Sequence, residues 1–259
     1  MVANRMAGGV VALMYHGIGQ PADPREGARY TVTVRELESQ LEILARHGSI
    51  VDPRLRSVET GVALTFDDGE HTVLTQALPR LERLGARAAL FMTTAWIGRP
   101  GYLDRHGLVA LREAGWLVGS HGHTHRFLTT LAPAELDLEL RRSSEILAGI
   151  LGEAPQDLAF PGGRTSSAVE RAAAAAGYAR LWSSTPGRNR SLAAGASLRR
   201  TAVRRGDDLQ RFERLVSGSA VAHLGDRVNV ACKSAVRQAL GDDRYHAFTG
   251  RLLAGLGRR

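Results

Sequence analysis

Short apolar runs alternate with amphipathic stretches along most of the chain. Residues 10–15, 61–66, 87–92, 116–119, 157–160, 178–183 and 198–203 are largely apolar runs bounded by glycine, proline or polar turn residues, and they predict strands. Helical patterns lie between them. Residues 34–47 space Val34, Leu37, Leu41 and Leu44 by three and four positions, one face of a helix. The patterns over 73–84, 103–114 and 166–176 each stop at a glycine: Gly85, Gly115 and Gly177. The longest, 133–151, has Pro133 at its start and Gly152 just past its end.

Strands separated by helices imply βαβ units and a parallel sheet, and about seven such units favour a closed, barrel-like sheet. Beyond Asp207 the strand signal fades, and helices are expected over 207–218, 228–240 and 244–256. No internal repeat or long linker interrupts the chain. The expected organisation is one domain over 1–259, with an α/β core at about 10–205 and a helical C-terminal extension over 206–259.

Composition narrows the function classes. A chain of 259 residues with 44% hydrophobic and 23% charged residues is globular, not disordered. The formal charge of +8 comes almost wholly from arginine, since Lys233 is the sole lysine. The arginines are dispersed among acidic residues with no long basic run, so no nucleic-acid partner is expected. Cys232 is the only cysteine, which excludes an intramolecular disulfide and a multi-cysteine zinc site. No run approaches the roughly 18 apolar residues of a membrane span, so no transmembrane segment is expected. The apolar stretch near the N-terminus fits a first strand better than a signal-peptide core, which makes a cytoplasmic location the expectation.

Functional groups in parallel α/β folds gather at the carboxyl ends of strands. Four polar clusters fall there: Tyr15-His16-Gly17, Asp67-Asp68-Gly69, Ser120-His-Gly-His-Thr-His125 and Pro161-Gly-Gly-Arg164. Adjacent carboxylates raise each other's pKa unless a cation relieves them; Asp-Gly is also a common turn former. In an extended backbone Asp67 and Asp68 point apart and can take different roles, one on a metal and one as a base. An extended strand would put His121, His123 and His125 on one face; a turn would pair His121 with His125 and leave His123 a neighbour. Gly119 and Gly122 favour the turn. Asp68 with His121 and His125 would make an Asp-His-His site with open positions. Gly162 or Gly163 would let backbone N–H groups approach a substrate oxygen. His47, His71, His106, His223 and His246 carry no assigned role, and Cys232 is expected in the core.

These residues resemble the NodB-like polysaccharide deacetylases. Thr65-Phe-Asp-Asp-Gly69 matches the family's first motif, and His121-Gly-His-Thr-His125 its second, H-[S/T]-x-x-H. Leu158-Ala-Phe-Pro-Gly-Gly163 is similar to the third, and Met14-Tyr-His-Gly-Ile18 to an early Met-Tyr-His strand. The resemblance implies a distorted (β/α) barrel and a divalent metal, usually zinc. It implies Asp67 as general base, Asp68, His121 and His125 as metal ligands, and the Gly162 N–H as an oxyanion donor. Pro161, Gly163 and Arg164 would face the substrate, an N-acetylated saccharide or glycan.

Three departures stand out. Gly122 replaces the usual Ser/Thr, Ala159 stands where many members have the arginine that partners the catalytic aspartate, and Gly162 replaces an aromatic residue. Arg200, in Leu198-Arg-Arg-Thr201, is expected to supply the missing cation. No late L-x-H motif is evident, apart from the histidine of Val221-Ala-His-Leu224, so His16 is the expected general acid. The implied reaction is metal-assisted removal of N-acetyl or other acyl groups from amino sugars. The alternatives are a catalytically impaired glycan-binding relative and another Asp/His metal-dependent hydrolase.

Overall fold

The computed structural model describes residues 8–23, 28–47, 50–193, 195, 197–217 and the single positions 223, 225 and 228. The helices expected over 228–240 and 244–256, together with Cys232, therefore fall outside the described residues apart from Val228.

Six parallel strands follow one another across the sheet. They are β1 (Gly9–Tyr15), β2 (Thr60–Phe66), β3 (Ala89–Met92), β4 (Leu117–Ser120), β5 (Asp157–Ala159) and β6 (Arg180–Trp182). A two-residue β7 (Arg188–Asn189) runs antiparallel to β1 at Val10 and Val11. β8 (Thr201–Ala202) pairs in parallel with β1 at Leu13 and Met14. Just upstream, Leu198 bridges to Trp182 of β6. The stretch from Leu198 to Ala202 thus touches both ends of the curled sheet, and β1 has partners on both sides.

Strand alternation sorts the side chains into two layers. Val11, Leu13, Tyr15, Val62, Leu64 and Phe66 point outward into a core shared with the helices. Val10, Ala12, Ala63, Ala89, Phe91, Ala159, Trp182 and Leu198 fill the inside of the curl. Alanines dominate that inner layer, which leaves room for Phe91, Trp182 and the fully buried Arg200. The outer layer is covered by α1 (Val34–His47), α2 (Leu78–Glu82), α3 (Arg105–Glu113), α4 (Pro133–Leu151), α5 (Ser167–Ala175) and α6 (Leu209–Ser217). In α1, Leu37, Leu41 and Leu44 are the buried stripe the spacing predicted. Burying each such leucine contributes roughly 1.5–3 kcal/mol.

Several elements differ from the pattern reading at their edges. The helix expected over 73–84 is a wide π turn (Val73–Ala77) followed by the short α2. Pro79 has no N–H to give to the Thr75 carbonyl, and the wider turn absorbs that gap. α3 starts at Arg105 because Asp104 caps it, its carboxylate accepting the Gly107 N–H at 2.8 Å. Of the strand expected over 198–203, only Thr201 and Ala202 form a ladder. No helix among the described residues is long and apolar enough to cross a membrane.

Candidate metal centre and active site

Strand alternation also delivers the polar residues. Ala63, Thr65 and Asp67 share the inner face of β2, so Asp67 enters the barrel mouth from its last inward position. Beyond it the chain turns sharply: Asp68 has φ 71° and Gly69 φ 88°. The left-handed conformation at Asp68 is uncommon for a residue with a side chain, and it directs the carboxylate toward the loop after β4. On β4, Gly119 points inward where a Cβ would meet Phe91 at 2.8 Å, and His121 follows two residues later on the same face.

Asp68, His121 and His125 converge. Asp68 Oδ1 lies 3.5 Å from His121 Nε2 and 3.3 Å from His125 Nε2. One ligand atom from each residue falls within 4.8 Å of the others, so the cluster could hold a metal ion. The chemistry of the donors fits one. The Ala159 carbonyl can only accept, so the 2.9 Å contact puts the proton of His121 on Nδ1. Its Nε2 lone pair therefore faces the Asp68 carboxylate. Burial, outweighing the attraction of Asp67 and Asp68, pushes the His121 pKa down to about 4, so the ring is neutral at neutral pH. Asp68 Oδ1 is buried without a hydrogen-bond partner. The His121 lone pair and the anionic Asp68 oxygen turned toward one point repel unless a cation sits between them. His125 reaches this point with a left-handed φ of 65°. His123 turns away, its Nδ1 2.9 Å from Thr94 Oγ1.

Asp67 lies beside this cluster, its Oδ2 3.9 Å from His121 Nε2. Arg200 grips it from inside the barrel, Nη1 to Oδ1 at 2.6 Å and Nη2 to Oδ2 at 2.9 Å. The same guanidinium donates to Thr65 Oγ1 and the Ser183 carbonyl. Burial would raise the Asp67 pKa, but Arg200 first, then His121 and His16, hold it below the ordinary carboxylate range. Asp68 is depressed as well: burial would raise its pKa, but the neighbouring His125, His16 and His121 outweigh it.

The other expected residues gather at the same rim. His16 follows β1, its ring tilted against Tyr30 with centroids 4.9 Å apart, and it acts electrostatically on both aspartates. The turn after β5 has Gly162 at φ 62° and Gly163 at φ 68°, with the Gly163 N–H closing onto the Phe160 carbonyl at 2.7 Å. Pro161 is buried behind the histidine loop. Arg164 lies over the Phe127 ring at 3.6 Å.

The structure adds residues that sequence reasoning left out. Trp96 packs between His125 and Tyr102, 4.9 Å from each ring. Its position just past the end of β3 was the available signal. Glu70 is buried behind Gly17, where any Cβ would fall 2.0 Å from its Oε2. Burial, then the nearby Asp68 charge, push the Glu70 pKa up to about 7. His223 approaches Thr201 Oγ1 at 3.2 Å, and His47 pairs with Glu213, tying α1 to α6.

A curled, mainly parallel α/β sheet with an Asp-His-His cluster at the carboxyl ends of its strands defines an α/β-barrel class whose site could hold a metal ion. Residues 56–181 match the polysaccharide deacetylase family model. YxkH of Bacillus subtilis (strain 168), assigned to the polysaccharide deacetylases, is 26% identical over 185 residues, which is 68% of this chain and 64% of that one. A chitin deacetylase of Colletotrichum lindemuthianum is 30% identical over 137 residues, 52% of this chain and 55% of that one. The chain thus spans somewhat more than half the length of these two relatives. Among solved structures, IcaB from Ammonifex degensii superposes with a TM-score of 0.70 at 20% identity, covering 84% of this chain and 98% of that one. The Streptococcus pyogenes deacetylase PplD gives 0.65 at 22% identity, covering 76% and 92%. At these identities the two structures establish a shared fold.

Proposed function

We propose that this protein hydrolyses the N-acetyl, or another N-acyl, group of amino sugars in a saccharide or glycan. The observation that carries the reading is the Arg200–Asp67 pair set beside the Asp68-His121-His125 cluster. The family-model match and the deacetylase names of the relatives support it. Asp68, His121 and His125 would hold a divalent ion, zinc by donor chemistry. When bound, that ion supplies Lewis acidity, acidifying water and polarising an acyl oxygen.

The chain's own residues supply the rest. Asp67, kept ionised and oriented by Arg200, takes the proton of the attacking water; a carboxylate has lone pairs left after a bidentate arginine. The Gly162 N–H donates to the oxyanion that develops on the former carbonyl. His16 gives a proton to the sugar nitrogen as the C–N bond breaks, releasing a carboxylate and a free amine. Gly163 and Arg164 line the substrate side of the turn, with Pro161 backing it. The Arg200 pair restores the arginine–aspartate contact that Ala159 in the third motif removes, which favours an active enzyme over an impaired glycan-binding relative.

The test is acetate release from N-acetylated oligosaccharides by zinc-loaded protein, alongside Asp67→Asn and His121→Ala. Loss of release in both variants is expected. Equal activity in either would overturn the assignment.

A further inference from the structure

The histidine loop departs from its family's pattern at Gly122, and the structure shows what occupies that space. Glu139 sits on α4, buried to 6% exposure. Its Oε1 accepts the His123 N–H at 2.8 Å and the Thr124 N–H at 2.5 Å, and both its oxygens are within hydrogen-bond distance of Thr124 Oγ1. A Cβ at Gly122 would stand 3.3 Å from Glu139 Oε1, on a residue whose φ is +77°. One carboxylate therefore binds two of the three residues between the metal-ligand candidates His121 and His125. A second tie from the same helix runs from Ser143 Oγ to Ser120 Oγ at 2.9 Å, and Ser120 Oγ in turn accepts the Gly122 N–H at 3.0 Å.

We infer that Glu139 is a positioning residue for the metal centre: it clamps the 121–125 loop onto α4 so that both imidazoles stay aimed at Asp68. A buried carboxylate needs compensating donors, and here the donors are the loop itself, so neither is satisfied without the other. His125 depends on this most, because it follows Thr124 directly and is held in a left-handed conformation. Gly122 belongs to the same device, since a side chain there crowds the clamp.

The inference rests on the metal-site reading of Asp68, His121 and His125, and zinc affinity separates the two. Zinc dissociation constants are measured by chelator competition for wild type, Glu139→Met, Glu139→Gln and Gly122→Ser, with apo-protein melting followed in parallel. Met keeps the volume and removes the acceptors; zinc binding should weaken about 10–100-fold, the range for groups that orient metal ligands. Gln keeps one acceptor oxygen but not the charge, and should fall between Met and wild type. Gly122→Ser should weaken binding, although it restores the residue type usual in the family. Saturating zinc should return kcat in the folded variants with little change in KM. Wild-type zinc affinity in Glu139→Met overturns the inference; if Met does not fold, wild-type affinity in Glu139→Gln does so. A wild-type protein that binds no zinc overturns the metal reading instead.

Discussion

Arg200 reaches Asp67 across the inside of the barrel and meets both of its carboxylate oxygens, at 2.6 and 2.9 Å, with the guanidinium fully buried. The two residues are far apart in sequence, and the 198–202 stretch that carries Arg200 is the one that touches both β6 and β1. Structure and chemistry are therefore coupled at this contact.

Arg200→Ala should damage both. Removing one partner of a buried ion pair leaves an uncompensated charge and costs about 3–5 kcal/mol. Activity should fall with it, and Arg200→Lys should rescue little, because an ammonium cannot reproduce the two-pronged contact. The sign with pH follows from Asp67, whose folded pKa is lowered. The stabilisation from the pair is present above the ordinary carboxylate pKa and is lost only as pH falls through the lowered value. Urea unfolding should thus show the wild-type advantage over Arg200→Ala holding from neutral pH down to the usual carboxylate pKa and shrinking below it. An advantage that vanishes near pH 5 contradicts this account.

Chelation should lower the melting temperature of the wild type, and adding zinc should restore it. A ligand at 100 times its dissociation constant stabilises by about 2.7 kcal/mol. Asp68→Asn and His121→Ala should melt at the same temperature with and without zinc. Calorimetry on the three proteins checks this, and a zinc response retained in both variants would place the metal elsewhere.

Glu70 predicts a second pH effect of opposite sign. Its pKa rises from 4.5 to about 7 on folding, so between those values the folded state holds the proton more tightly than the unfolded chain. Stability from this group is present below pH 4.5 and is lost as pH rises through 7. Glu70→Gln should therefore gain on the wild type between pH 4 and pH 8, on the order of 1–3 kcal/mol. Denaturant midpoints in the presence of chelator give the comparison; parallel pH profiles would rule it out.

Asp104→Ala tests a purely local feature. Loss of the cap on α3 should cost about 1 kcal/mol. The denaturant midpoint should drop with the slope unchanged. An undiminished midpoint would mean that the Gly107 N–H finds another acceptor.

The ligand candidates were legible because their chemistry is local. Asp67 and Asp68 follow an apolar strand, and the three clustered histidines follow another, so their place at strand ends could be read from the pattern alone. Glu139 was not legible: between Leu136 and Leu140 on an amphipathic helix, a glutamate looks like part of the solvent face. Only the approach of α4 to the histidine loop gives it donors. β7 was equally hard to read, since two residues carry no periodicity.

The sequence by itself determined the alternation of strands and helices and the Asp-Asp and His-x-x-x-His clusters. Each depends on spacing within a few residues. The tertiary structure decided which histidines face Asp68, how Arg200 meets Asp67, where Trp96 stands, and how Glu139 holds the loop. Those are contacts between segments distant along the chain, fixed by how the sheet curls and closes, and no local periodicity encodes them.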